Sequence, residues 1–315
     1  MGYEECRLVR TTAIRKAAWV EMPWFPDFVG ALELARKQTR QAGKADPVGQ
    51  YFATLTSGDL ESLETVWPGD VVVYDPRAGE VRGHRELRRF VRQNQEWFAE
   101  RLASIETVAT TCSDGRAVVE LLAHLDHASG VLDWPVAVVA ESLDQRSAVF
   151  RTYCSQVPVD GRRHLRGPIL EPGPVRLDDV VGQYLRSFDA GDVEAAVRLF
   201  PANGYVREPI GPESLHRGIG ELGALFRAWF SSGGIGLEPC LMTDDGRRSA
   251  LEYTCFRWGD QDLPPQAGLT VYERDQNGLL AAVRLYDDIE RPVTPSSPAG
   301  RGDQHLGISE QTHTA

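Results

Sequence analysis

The sequence predicts an α+β fold that occurs twice in tandem. Three observations predict it: landmarks that recur at a fixed spacing, helix-forming segments that precede strand-forming segments in each copy, and turn signals that cut the later part of each copy into hairpins. Val48-Gly49-Gln50-Tyr51 returns as Val181-Gly182-Gln183-Tyr184, an offset of 133 residues (51 to 184). The same offset carries Gly58-Asp59 onto Gly191-Asp192 and Asp75-Pro76 onto Glu208-Pro209. After insertions that cancel, it carries Arg151 and Tyr153 onto Arg284 and Tyr286. Between these points the copies drift. Arg82-Gly83 matches Arg217-Gly218, and Trp97-Phe98 matches Trp229-Phe230 with three residues fewer. A loss of that size is close to one helical turn of about 3.6 residues, so it shortens a helix and keeps its face.

The elements follow in order. Residues 1–45 have no second copy; they hold Trp19, Trp24, Phe25 and Phe28, and the pattern predicts a helix from Asp27 to Gln41. This extension is expected to pack on a domain or to cover a pocket. The first domain spans 46–156. A helix is predicted over 47–57, stopped by Ser57-Gly58, with Asp59 capping a short helix over 60–66. Val71-Val72-Val73-Tyr74 reads as a strand. Residues 84–101 read as a long helix, with Leu87, Phe90, Val91, Trp97 and Phe98 at helical spacing. Strands are predicted near 104–112, 116–127, 132–143 and 147–156, with turns at Asp114-Gly115 and over 143–146. Residues 157–176, rich in Pro and Gly, read as a linker. The second domain, 177–293, repeats the order, with Asp245-Gly246 and Asn277-Gly278 at the matching turns. Residues 294–315 read as a disordered tail.

Composition bounds the function. The chain has 315 residues, 42% apolar and 25% charged, with a net charge of −11. That charge excludes a phosphate-binding surface for nucleic acid and docking on anionic membranes. No run of about 18 apolar residues exists to span a bilayer. The five cysteines form no Cys-x-x-Cys pair, so neither a disulfide framework nor a zinc site is expected, and reduced thiols in a cytoplasm fit. Glu4, Glu5, Arg7 and Arg10 are unlike a signal peptide. No phosphate loop, dinucleotide fingerprint or Ser/Cys nucleophile motif is visible.

A tyrosine followed by Gly-Asp, a strand ending in an acid before proline, and Arg-Gly ahead of a long helix occur in that order twice. In the second copy the acid segment reads Arg207-Glu208-Pro209-Ile210-Gly211-Pro212. This order resembles ketosteroid isomerase and its SnoaL-like relatives in the NTF2-like superfamily, over roughly 46–156 and 179–291. The resemblance implies two cone-shaped domains, each with N-terminal helices packed on a curved antiparallel sheet around a pocket for an apolar small molecule. It implies an intramolecular pseudo-dimer and no cofactor; a further homo-oligomer is left open.

Asp75 and Glu208 are the leading catalytic candidates. Proline holds the residue before it in extended geometry, which puts the carboxylate at a strand end facing a loop. In the family the matching acid is the general base beside a carbonyl. Tyr51 and Tyr184 match the family's oxyanion-donating tyrosine. The family's second donor falls near Ala137 and Thr270, neither an acid, so the sequence departs from true ketosteroid isomerisation. Trp97, Phe98, Trp229 and Phe230 are candidates for a pocket wall or for core. Glu106 and Glu238 could supply a second carboxylate, or simply be solvent-facing strand ends. Glu120, His124 and Asp126 share one strand face, which reads as a polar face or a contact between domains; no metal site is expected. Arg151 and Arg284 read as ion-pairing residues. The expected function is a cofactor-free isomerase or cyclase of secondary metabolism acting on a polyketide- or terpenoid-like molecule. The alternatives are an epoxide hydrolase or epoxide-opening cyclase with paired acids, and a non-catalytic binding or scaffold protein.

Overall fold

The structure is a computed structural model and describes residues 71–289, apart from 102–103, 114, 128–129 and 143–146. Residues 1–45, the helices predicted over 47–66, Tyr51 and the tail 294–315 lie outside the described residues.

The first half is β1 (Val71–Asp75), β2 (Gly79–Arg82), α1 (His84–Ala99), β3 (Ser104–Ser113), β4 (Arg116–His127), β5 (Gly130–Ser142) and β6 (Ala148–Tyr153). Its strands form one sheet in the order β2-β1-β6-β5-β4-β3. A short helix, α2 (Val157–Asp160), opens the connection. The second half is α3 (Val180–Ala190), α4 (Val193–Val197), β7 (Tyr205–Arg207), β8 (Leu215–Arg217), α5 (Gly218–Trp229), β9 (Ile235–Asp244), β10 (Arg248–Trp258), β11 (Gln261–Arg274) and β12 (Leu280–Leu285). Its sheet runs β8-β7-β12-β11-β10-β9. In both sheets the first strand pairs parallel with the last and every other pairing is antiparallel. The tandem α+β reading holds strand for strand, with one addition. Asp75 and Glu208 do not simply leave a strand; the chain doubles back into β2 and β8. Neither return strand announced itself, because Gly79–Arg82 has a single apolar residue, Val81, and so shows no alternation.

The capping reading holds in the second copy. Gly191 ends α3 in the left-handed conformation, and the Asp192 side chain accepts from Ala195 N to open α4. The structure also explains the repeated glycine. A Cβ on Gly182 would lie 1.7 Å from the Leu177 carbonyl oxygen, so helix α3 can approach the preceding chain only without a side chain there. Replacing a mid-helix glycine by alanine ordinarily gains about 1 kcal/mol. Here we expect Gly182→Ala to lose about 1–3 kcal/mol by overpacking, read as a lower midpoint in urea. A higher midpoint would show that the contact is not needed.

Alternation gives each sheet two faces. On one, Val71 and Val73 of β1, alternate residues of β4 and β5, and Leu87 and Phe90 of α1 form a core. The opposite face carries Val118, Ala137, Val139 and Tyr153, which pack on Ala250, Leu269, Val271 and Tyr286 of the second sheet. Two crossed ion pairs lie in this sheet-to-sheet layer. Arg284 donates Nε and Nη2 to the Glu120 carboxylate at 2.6 and 2.8 Å, and Tyr286 OH donates to it at 2.7 Å. Arg151 donates in the same way to Glu252 at 2.6 and 2.9 Å, and Tyr153 OH at 2.8 Å. Each repeated arginine and tyrosine thus serves the glutamate of the other copy.

A clasp joins the two exits. Asp288, buried, accepts from Ser155 Oγ at 2.5 Å, Gln156 N at 2.8 Å and His164 N at 2.9 Å. Asp288→Ala leaves two amides and a hydroxyl without their acceptor, and an expected loss on the order of 3 kcal/mol follows. Amide hydrogen exchange at Gln156 and His164 should accelerate; unchanged protection there would remove the clasp from the account.

Candidate active site

The helix-covered face of the second sheet is filled at its centre by aromatic rings. Tyr184 on α3 lies tilted against Phe188 at 4.2 Å, 5.4 Å from Tyr272 and 6.2 Å from Phe226. Trp229 and Phe230, at the end of α5, close the group, with Phe230 5.0 Å from Phe188. All three of the sequence-derived candidates here are buried core residues. Tyr184 thus stands in the core, as do Trp229 and Phe230, for which the sequence left core and pocket wall open. Helical spacing points them into the helix–sheet seam, and their neighbours occupy the space. Burial holds the Tyr184 phenol well above its usual range, so it stays neutral.

The two strand-end acids differ. Asp75 continues the row of Val71 and Val73 and is buried, but its Oδ1 accepts from the amides of Arg77 and Ala78, both at 2.9 Å. That is a turn-closing aspartate. Glu208 continues the row of Val206, and its Oε1 sits 2.9 Å from His216 Nε2. His216 comes from β8, where hairpin pairing sets it opposite Val206. The corresponding residue of the first domain is Val81, opposite Val73, so no imidazole stands in that place beside Asp75. Both side chains are about 30% exposed, enough to be reached from outside.

A third group was not found by sequence reading. Tyr253 on β10 lies directly across from Gly268 on β11. A Cβ at Gly268 would be 2.5 Å from the Tyr253 ring, so the bare backbone lets the phenol lie across it. The hydroxyl then reaches Asp287, just past β12, and donates to Oδ2 at 2.5 Å; Thr270 Oγ1 lies 3.1 Å away. The matching row of the first domain is Leu121 opposite Val136, with Cys154 in the place of Asp287. Burial pushes the Asp287 carboxyl up to about 6, partly countered by the hydrogen bonds from Tyr253 and Ile289 N. The available signal was Asp287 itself, next to the repeated Tyr286, but its partner in the repeat is a cysteine and no shared acid marked the position.

Glu106 and Glu238 are exposed on the edge strands β3 and β9, and the structure returns them to solvent-facing strand ends. His124 lies 3.9 Å from Glu106. Trp97 is half-buried, with the guanidinium groups of Arg77 and Arg101 over its ring at 4.3 and 4.0 Å and Trp134 at 6.0 Å. The Phe98 side chain lies outside the described residues. A cleft of about 380 Å³ opens between the two sheets beside Tyr74, Arg151, Leu170 and Cys240. Of its polar groups, Arg151 is engaged by Glu252 and Glu141. No described helix is long and apolar enough to cross a membrane.

The family model of the SnoaL-like domain matches residues 48–150. No curated protein matches. Among solved structures, a candidate polyketide cyclase from Sinorhizobium meliloti is 17% identical, covering 34% of this chain and 92% of its own, with a TM-score of 0.29. The epoxide hydrolase/cyclase-like enzyme SalBIII, of pyran ring formation in the polyether salinomycin, is 20% identical over 34% of this chain and 86% of its own, with a TM-score of 0.30. A protein of ketosteroid isomerase-like fold from Catenulispora acidiphila, in complex with trimethylamine, is 13% identical over 36% and 87%, with a TM-score of 0.31. Residues 48–150 thus match a SnoaL-like domain, and the second half repeats the strand order of the first.

Proposed function

We propose that this protein is a cofactor-free isomerase or cyclase that moves a proton on a polyketide- or terpenoid-like molecule in its second domain, with Glu208 as the base. One observation carries the reading: Glu208 is held by His216 at 2.9 Å at the end of β7, whereas Asp75 closes its own turn. A carboxylate that fixes an imidazole, on a strand end that solvent can reach, suits removal of a proton from carbon next to a carbonyl. Because aromatic rings fill the middle of the face, the substrate lies toward the strand ends, with its apolar body against the rim of that core. The test is deuterium wash-in from D2O into a panel of β-keto and cyclic enone probes. Wild type is expected to exchange, and Glu208→Gln to lose about 10²–10⁴-fold in rate. Equal rates reject the assignment.

A second reading, epoxide opening, has one observation in its favour. Glu208 and Asp287 follow the paired strands β7 and β12, so two carboxyl groups belong to one domain face. Ring opening of an epoxide probe without deuterium exchange of the carbonyl panel would select it.

A further inference from the structure

We propose that Arg207 anchors a second binding site, between the two sheets and apart from Glu208, that takes a small-molecule carboxylate. Alternation sends Glu208 to the helix-covered face of its sheet and Arg207, one residue earlier, to the face that meets the first domain. There the Arg207 guanidinium lies 4.6 Å over the Tyr286 ring. Arg207 is only 7% exposed, and among the described residues nothing accepts a hydrogen bond from its Nε or Nη2. A guanidinium held out of water without a partner is costly, so the position calls for an anion.

The partner it suits is a carboxylate. Nε and Nη2 form the side of a guanidinium that meets both oxygens of one carboxylate. Arg151 and Arg284 each use that side, on Glu252 and Glu120. Neither carboxylate bound to Arg284 is spare for Arg207: Glu120 also accepts from Tyr286, and Glu273 from Arg247 and Arg248. Four guanidinium groups thus stand to two carboxylates, an excess that an added anion offsets. The matching residue of the first copy is Tyr74, so the extra charge belongs to the second copy. The crossed ion pairs relate the two sheets by an approximate two-fold axis, which also shows the side of approach. The cleft beside Tyr74, Arg151 and Cys240 has its counterpart beside Arg207, Arg284 and Val108, since Cys240 and Val108 are the bulged residues of β9 and β3. On the first side Ile169 and Leu170 of the connection line the cleft, and Cys240 is 6% exposed. On the second side Val108 is 41% exposed, open to the apolar body of a ligand whose carboxylate meets Arg207.

The test titrates the full chain with sodium acetate, using sodium chloride to hold ionic strength constant. The ¹⁵Nε resonance of Arg207 is expected to shift and saturate, while those of Arg151 and Arg284, already bound to glutamates, stay in place. The urea midpoint of wild type is expected to rise with acetate, because a ligand of the folded chain stabilises it. Arg207→Leu should show no such rise and, without acetate, a midpoint at or above that of wild type, since it removes a charge that has no partner. Arg207→Lys keeps the charge but not the paired donors, and acetate should bind it about 10-fold or more weakly. An Arg207 resonance that ignores acetate overturns the proposal even if the variants fold poorly. An equal rise in wild type and Arg207→Leu overturns it as a general salt effect. A lower midpoint of Arg207→Leu without acetate overturns it too, because the chain itself then satisfies the guanidinium. Inorganic phosphate is the second probe, and binding of phosphate without acetate overturns the carboxylate assignment.

Discussion

Glu120→Ala is expected to cost about 3–5 kcal/mol of stability, and Glu252→Ala a similar amount. Each glutamate is fully buried between the sheets and receives two guanidinium N–H groups and one phenol. Removing it leaves a buried arginine held at its third nitrogen alone, Arg284 by Glu273 and Tyr205 OH or Arg151 by Glu141. The effect comes from the stranded charge rather than from a large net value of the pair. Glu120→Leu with Arg284→Met should therefore recover most of the loss, and a double-mutant cycle reads the coupling. Exposed pairs such as Arg82–Glu80 give the contrast, at under about 1 kcal/mol. The pH dependence has a definite sign. Burial alone would raise Glu120, but the Arg284 charge and hydrogen bonds bring it below its usual value, and Glu273 shifts the same way. A carboxyl lowered in the folded state stabilises above its unfolded value and loses that contribution as pH falls through the carboxylate range. Urea midpoints should fall on acidification below about 4.5 in wild type, and less steeply in Glu120→Ala. A loss under 1 kcal/mol at neutral pH would mean that the crossed pairs do not hold the sheets together.

Those pairs also show what the sequence made legible. Arg151, Tyr153, Arg284 and Tyr286 were visible as a repeat, and the match of Glu120 to Glu252 was visible as well. That each arginine crosses to the other copy was not, because register between two sheets is set by tertiary packing and leaves no local pattern. The strand order was readable because alternation and turn residues are local. β2 and β8 escaped because strands of three or four residues, held by hydrogen bonds to one neighbour, need no apolar stripe.

The site was legible in part. Proline after Asp75 and Glu208 located both strand ends. It could not show that Asp75 spends an oxygen on its own turn while Glu208 meets His216, since that depends on which residue the return strand places opposite. The aromatic residues stood out by their spacing, but helical spacing is the same for a pocket wall and a filled core. Asp287 left no repeated signal because its counterpart in the first copy is Cys154. Here the difference between copies is the informative feature: Tyr253, Gly268 and Asp287 against Leu121, Val136 and Cys154.

The two halves thus share a frame and differ in chemistry. In the first, the strand-end acid closes a turn and its neighbouring row is apolar. In the second, an acid–imidazole pair and an acid–phenol pair occupy the same face. The most direct measurement sets Asp75→Asn beside Glu208→Gln in the deuterium wash-in assay, with both variants checked for a native urea midpoint. The account predicts that Asp75→Asn stays within a few-fold of wild type while Glu208→Gln falls by about 10²-fold or more. Loss of exchange in Asp75→Asn with retention in Glu208→Gln would contradict it and move the reaction to the first domain.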